Sequence, residues 1–359
     1  NYYASTYIQD GDTIPIVVKV RDGRPIKIEG NDLSSLTKGG TSARAQASVL
    51  DLYDTTRLRH PLQRDGKEFK EVSSFEAMDK MIADAMAGLG GRSIVLLTST
   101  VHSPSTLQII NEFLAKYPGS RHVQYDADSY SGMLLANEAC YGKRALPVYH
   151  FNNAKTIVSL SADFLGTWLS PVEFAAQYAE TKRIKGEKPT LSKHIQFESM
   201  LSLTGSNADD RITHKPSETG AIALALLAKL GGAVTAPSLS KEVAMGVDKA
   251  AAALAATKGS SLVVCGSNDA NVQVVVNAIN EAIGANGNTI DWSGTSNYRK
   301  GVDADMAKLV ADLGAGTVGA LLVYGCNPVY AHPNGKKLGD LIAGLPLSVS
   351  FNGTLDETT

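Results

Sequence analysis

The sequence predicts an α/β protein of doubly wound, mainly parallel sheets, with an N-terminal β-hairpin segment and an inserted α/β lobe. Three observations carry this. Short β-branched runs alternate with segments of helical period over most of the chain. Two strand-like runs flank the turn signal Asp22-Gly23 near the N-terminus. In the C-terminal part, one strand–glycine turn–helix unit occurs twice, at Ser261 to Cys265 with Ala270 to Ile283, and at Gly319 to Tyr324 with Gly335 to Ala343.

In order along the chain, Ile14 to Val20 and Pro25 to Glu29 form the hairpin, and Ala43 to Tyr53 is helix-compatible, leading to the basic loop Arg57-Leu58-Arg59-His60-Pro61. Phe75, Met78, Met81, Ile82 and Met86 recur at helical spacing, Gly88 to Gly91 stop that helix, and the apolar run Ser93 to Thr98 reads as a buried strand. The alternation continues as a helix near Ser105 to Lys116, a strand at Arg121 to Tyr125, a helix near Gly132 to Tyr141 and a strand at Thr156 to Leu160. Such alternation points to a parallel sheet covered on both faces. Trp168 to Arg211 is polar and charged, helical at Val172 to Lys182 and irregular around Gly186 to Pro189, and reads as an insertion on the sheet. Helices follow at Thr219 to Leu230 and at the alanine-rich Lys241 to Thr257, and Leu347 to Phe351 is strand-like. The expected domains are an N-terminal β segment, 1–72; a discontinuous α/β domain, 73–147 with 259–359; and an inserted lobe, 148–258.

Composition narrows the function. Lys and Arg total 34 against 36 Asp and Glu, a formal net charge of −2, which offers no electrostatic footprint for nucleic acid. The longest apolar stretch, Ala221 to Leu230, is about half the roughly 20 residues of a membrane helix. The chain starts at Asn1 without a methionine and stops at Thr359 just after a strand-like run, so it reads as a piece of a longer polypeptide, with further domains expected beyond the C-terminus.

Catalytic and metal signatures are absent as spaced motifs. The three cysteines, Cys140, Cys265 and Cys326, lie far apart, with no paired framework and no histidine at ligand spacing. The seven histidines include no pair at i, i+3 or i, i+4 on a helix. Ser129-Tyr130-Ser131-Gly132 lacks the first glycine of a nucleophile elbow. Gly88 to Gly91 follows a helix, the reverse of a phosphate loop, and reads as a helix end. Gly266-Ser267-Asn268-Asp269 and Gly325-Cys326-Asn327-Pro328 do run from strand to helix, at the sheet edge where ligands lie in open α/β folds. The second loop reads equally as a ligand loop or a plain sheet turn, and Cys326 as a small packed thiol. Asp163 ends a strand either facing a ligand or capping the next helix. The charged run Lys182 to Lys188 reads as a solvated loop.

Several stretches together resemble the molybdopterin oxidoreductase superfamily over nearly the whole chain. Val17 to Gly30 is similar to its opening hairpin, Leu52-Tyr53-Asp54-Thr55-Thr56-Arg57-Leu58-Arg59-His60-Pro61-Leu62 to its "YDPDRLKYPL" segment, Gly325-Cys326-Asn327-Pro328 to its pterin-dinucleotide "GxNP" loop, and Asp356-Glu357-Thr358-Thr359 to its "TETA" segment. Three departures accompany the matches. Asn1 to Arg44 holds none of the cluster cysteines, the metal-ligand region near Tyr125 to Gly132 offers only Ser129, and the first pterin loop, usually "GSNP", reads Ser161-Ala162-Asp163-Phe164.

A narrower resemblance, in Ile157 to Trp168, His194 to Ser199 and Leu203 to Asp209, is to the ActB family, the large iron–sulfur subunit of bacterial alternative complex III. It implies a molybdopterin oxidoreductase-like domain with no catalytic residue, cofactor or metal of its own, in which Gly325, Asn327, Pro328 and Ser129 are vestigial. Iron–sulfur clusters are then expected in a C-terminal domain of the same polypeptide. Multihaem cytochrome c subunits and integral quinol-site membrane subunits are the implied partners, on the periplasmic face of the bacterial inner membrane after twin-arginine export. The alternative is an active bis-pterin molybdenum oxidoreductase with Ser129 as metal ligand and Gly325, Asn327 and Pro328 holding the dinucleotide. A free-standing module with a nucleotide-like ligand at the sheet edge is the third reading.

Overall fold

A computed structural model describes residues 1–359 apart from 10, 67, 185 and 187–189. The chain opens with β1 (Tyr2–Gln9), β2 (Asp12–Arg21) and β3 (Arg24–Gly30). Asp22 and Gly23, at φ +49° and +78°, turn β2 into β3, the left-handed pair that a two-residue hairpin requires. Then come α1 (Ala43–Ala47), a 3-10 turn over Ser48–Tyr53, β4 (Leu62–Asp65), β5 (Glu68–Glu71), α2 (Phe75–Ala87), β6 (Ser93–Thr98), α3 (Pro104–Ala115) and β7 (Arg121–Gln124). The middle of the chain forms α4 (Ser131–Tyr141), β8 (Leu146–Tyr149), β9 (Thr156–Leu160), α5 (Pro171–Thr181), β10 (Lys193–Glu198), α6 (Leu203–Ser206), β11 (Asp210–Thr213), α7 (Thr219–Lys229) and α8 (Lys241–Ala256). The remainder is β12 (Ser261–Cys265), α9 (Ala270–Ala282), β13 (Ile290–Ser296), α10 (Asp303–Gly314), β14 (Val318–Tyr324), α11 (Pro328–Ala331), α12 (Gly335–Ala343) and β15 (Leu347–Ser350). Serine side chains start several helices by accepting a first-turn N–H, Ser74 from Ala77 and Ser103 from Thr106 among them.

The contacts divide the chain into two units, 1–8 with 12–49 and 130–299, and 9–11 with 50–129 and 300–359. In the second unit a parallel sheet has the order β15-β14-β6-β7. Alternate residues of its strands bury into opposite layers. Val95, Leu97, Leu321 and Val323 pack on Leu309 and Leu338 of α10 and α12, while Ile94, Leu96, Ala320 and Leu322 pack on Leu89 and Ile110. Helices on both faces explain why these strands read as unbroken apolar runs. The first unit holds a parallel sheet of order β11-β10-β9-β12 and the three-stranded sheet β1-β2-β3, of which β2 and β3 pair antiparallel.

Three expectations change. The helix expected over Ala43 to Tyr53 ends at Ala47, where the Ser48 hydroxyl donates to the Ala45 carbonyl and the backbone tightens into the 3-10 turn. The stretch Trp168 to Arg211 is not an insertion: β10 is an interior strand of the first unit's sheet, masked by polar residues that hydrogen bonds make tolerable in the core. Residues 259–299 were expected with 73–147, but β12 pairs with β9 and β13 with β8, so this segment stands with the lobe. The irregular tract 186–189 and the centre of the charged run lie largely outside the described residues.

Asn280 shows how buried polar groups hold the first unit. It is 2% exposed, its Oδ1 accepts the Val263 N–H at 3.0 Å, and its Nδ2 donates to the Val263 carbonyl at 2.8 Å. Asn280→Ala strands both of these backbone groups on the open side of β12, the strand at the end of the sheet, and should cost about 1–3 kcal/mol. The expected result is a lower urea midpoint with an unchanged slope.

Candidate functional site

In an open α/β sheet a ligand crevice lies beyond the carboxyl ends of the two strands between which the winding reverses. In the first unit the chain runs β9, β10, β11 outward and returns to place β12 on the other side of β9. The candidate loops are therefore Ser161–Phe164 and Gly266–Asp269. Ser161 has φ +58°, a left-handed conformation unusual for a residue with a Cβ. Its N–H donates to the Phe197 carbonyl at 2.7 Å, and the Ser159 hydroxyl brackets Ala162, accepting its N–H at 3.1 Å and donating to its carbonyl at 2.9 Å. Phe164 turns inward and stacks on Phe151 at 4.5 Å, fully buried.

The facing loop is equally committed. A Cβ on Gly266 would collide with the Ser161 carbonyl, so the two loops abut backbone to backbone. Asn268 Oδ1 accepts the Gly132 N–H at 2.8 Å, and Gln273 Nε2 donates to the carbonyls of Cys265 and Ser267. Asp163 bonds across to another element of the unit. Its Oδ1 accepts the N–H and hydroxyl of Thr204 at 3.0 and 2.7 Å, tying the loop to α6.

Beside it stands Glu198, at the carboxyl end of β10 and 3% exposed. Its carboxylate accepts Arg211 Nε at 2.5 Å, the Ser202 hydroxyl at 2.6 Å and N–H at 3.3 Å, and Gln196 Nε2 at 3.3 Å. Burial alone would raise the Glu198 pKa, but the Arg211 and Ser202 hydrogen bonds outweigh it and hold the carboxyl below its ordinary range. Around this network Met200, Leu201 and Leu203 are 81%, 62% and 57% exposed. Glu198, Arg211, Gln196 and His194 went unnoticed as a site in the sequence. The available signal was the polar alternation His194, Gln196, Glu198 around Ile195 and Phe197.

In the second unit the winding reverses between β6 and β14, placing Gly325–Pro328 at the crevice. Gly325 is left-handed at φ +65°, as Ser161 is in the first unit. Asn327 is bonded at both ends of its amide: Nδ2 donates to Glu357 Oε2 at 2.7 Å, while Oδ1 accepts the Thr358 hydroxyl at 2.7 Å and the Tyr330 N–H at 3.3 Å. Pro328 is buried in the start of α11. The neighbouring loop after β6 is closed by Asp126, which accepts the Thr100 N–H and hydroxyl and the Gly301 N–H. Ser129 lies half-buried in the β7–α4 connection, three residues past Asp126. Burial pushes the Cys326 thiol up to about 12, with Asp356 and Asp126 adding to the shift, and burial does the same for Cys265. Among the described residues no three His, Cys, Asp or Glu side chains converge as metal ligands, and no helix is long and apolar enough to cross a membrane. An open groove of about 680 Å³ in the first unit, lined by Cys140, Tyr141, Val274 and Trp292 among others, includes no residue of either switch loop.

These loops and sheets define an α/β fold with mostly parallel sheets and an N-terminal antiparallel hairpin, of the molybdopterin-enzyme-like kind. A chain of the formyltransferase/hydrolase complex from Methylorubrum extorquens, solved with methylofuran, superposes with a TM-score of 0.50 over 82% of this chain and 83% of that one, at 14% identity. In sequence the chain is similar to the molybdopterin-binding-like subunit of menaquinone reductase from Nitratidesulfovibrio vulgaris, 28% identical over 397 aligned positions that cover 96% of this chain. It spans about half of that relative, 55% of its length. No family model matches the chain.

Polar groups at the two crevices are largely bonded within the protein. In the first unit the Ser161 and Gly266 loops abut, and the Asp163 and Glu198 carboxylates are bonded to Thr204 and to Ser202 and Arg211. In the second, both ends of the Asn327 amide and the Val329 N–H are taken by Glu357 and Thr358.

Two outcomes follow. Arg211→Leu should destabilise the fold by about 2 kcal/mol, below the cost for a fully buried pair because Arg211 keeps 29% of its side chain exposed. Since the folded carboxyl sits below its unfolded value, its contribution is present above the unfolded pKa and is lost as pH falls through the folded one. Urea titrations should therefore show wild type and variant converging on acidification. Ser161→Gly should relieve the left-handed strain and raise stability by up to about 1 kcal/mol, read as a higher thermal midpoint.

Proposed function

We propose that this chain is a cofactor-free docking domain of a quinone-linked membrane oxidoreductase complex, with electron transfer carried by centres outside it. The observation that carries this reading is the fate of the two switch-point loops. Both keep the left-handed entry residue, Ser161 and Gly325, yet their polar groups bond within the protein. The name of the menaquinone reductase relative supports the quinone link. In the finer reading the chain belongs to an ActB-type subunit of alternative complex III, beside multihaem cytochrome c and integral quinol-site subunits on the periplasmic face of the inner membrane, with iron–sulfur clusters elsewhere in the same polypeptide. The relative's name favours a second direction of electron flow, quinone reduction rather than quinol oxidation.

Purification of the native complex in mild detergent, followed by elemental analysis, tests the reading. Expected are iron without stoichiometric molybdenum or tungsten, and no pterin extractable by acid. Stoichiometric molybdenum with pterin would instead establish the enzyme with Ser129 as ligand. Recovery as a lone soluble monomer would remove the complex from consideration, and assays of quinol oxidation by cytochrome c against quinone reduction separate the two directions.

A further inference from the structure

His194 is completely buried on β10, and its ring is set in a chain of hydrogen bonds whose polarity can be read from one end. Glu198, ionised and bonded to Arg211, accepts only, so Gln196 must turn its amide Nε2 toward it, at 3.3 Å. The other end of that amide, Oε1, then faces His194 Nε2 at 3.3 Å, and an acceptor there requires Nε2 to carry the proton. The remaining nitrogen, Nδ1, is left as a bare acceptor 3.2 Å from the Tyr178 hydroxyl.

Tyr178 has a second acceptor within reach, the Asn207 carbonyl at 3.0 Å. Its one proton can point to either. With the hydroxyl aimed at Nδ1 the imidazole is neutral and both its nitrogens are bonded. With the hydroxyl turned to Asn207, its oxygen lone pair faces Nδ1 and can accept from an Nδ1–H.

We propose that His194, Tyr178 and Gln196 form an internal proton-binding site. One proton from solvent adds to His194 Nδ1, the Tyr178 O–H rotates from Nδ1 to the Asn207 carbonyl, and no heavy atom needs to move. Both imidazolium N–H groups are then bonded, to Gln196 Oε1 and to Tyr178 Oη.

The charged groups facing the site oppose one another. Lys182, just past the end of α5, repels the added proton; Glu198 on β10 and Asp209 ahead of β11 attract it, with Asp209 accepting the His194 backbone N–H at 2.7 Å. Phe164 packs on the ring at 5.3 Å and contributes no charge. Burial is the largest influence and lowers the His194 pKa to about 4, with Lys182 adding to it and the Gln196 hydrogen bond working the other way. A histidine depressed in this way favours folding fully above its unfolded pKa and progressively less below it, so uptake is confined to the acid range.

Nitrogen NMR of the chain labelled at histidine tests this. His194 should be the Nε2–H tautomer at neutral pH and should titrate to imidazolium on acidification while amide dispersion persists. Tyr178→Phe removes the acceptor for the new Nδ1–H together with the weaker hydrogen bond to the neutral ring, and should lower proton affinity about fivefold. An Nδ1–H tautomer at neutral pH, an unchanged titration in Tyr178→Phe, or loss of amide dispersion before His194 charges would each overturn the proposal. If Tyr178→Phe does not fold, the wild-type tautomer and titration decide alone.

Discussion

The buried carboxylate of Glu198 is the constraint on which the first unit's sheet edge depends. An ionised carboxyl at 3% exposure is tolerable only with donors, and it recruits them from β10, from the turn before α6 and from β11. That requirement orients Gln196 and through it His194. Asp163 adds a second tie by fastening the β9 loop to Thr204. Two carboxylates thus tie the β9 loop and the turn before α6 to β10 and β11.

The two units reach the same end differently. In the second, closure comes from the segment Asp356–Thr359, whose Glu357 and Thr358 bond the Asn327 amide. In the first, closure comes from aromatic burial and backbone contact, Phe164 inward and Gly266 against Ser161. Ser161 keeps the left-handed backbone that glycine adopts without strain in Gly325. The Phe197 carbonyl and Ser159 hydroxyl hold that main-chain path around Ser161 from outside.

Most of the fold was legible because its strands are covered on both faces and read as apolar runs, as in Ser93–Thr98 and Ser261–Cys265, and its helices carry serine caps. What stayed hidden followed one pattern. β10 was obscured because His194, Gln196 and Glu198 are polar yet buried, and burial of that kind depends on Tyr178, Ser202 and Arg211, partners that only the fold brings near. The inward turn of Phe164 and the closing of Asn327 by Glu357 rest on contacts equally distant along the chain. Gly325, Asn327 and Pro328 were correctly placed at a sheet edge by their strand-to-helix order, but spacing carries no information about which groups are already bonded.

The three thiols differ in a way that gives the molecule a landmark. Cys265 is enclosed, Cys326 is half-covered with its thiol held protonated, and Cys140 alone stands exposed at the rim of an open groove on α4. Thiolate is the form that reacts, so a mild alkylating reagent meets one address on an otherwise silent surface. A probe or photocrosslinker placed there reports from a fixed position on a rigid helix, turning an unremarkable surface cysteine into a natural origin for measuring which neighbours this chain keeps.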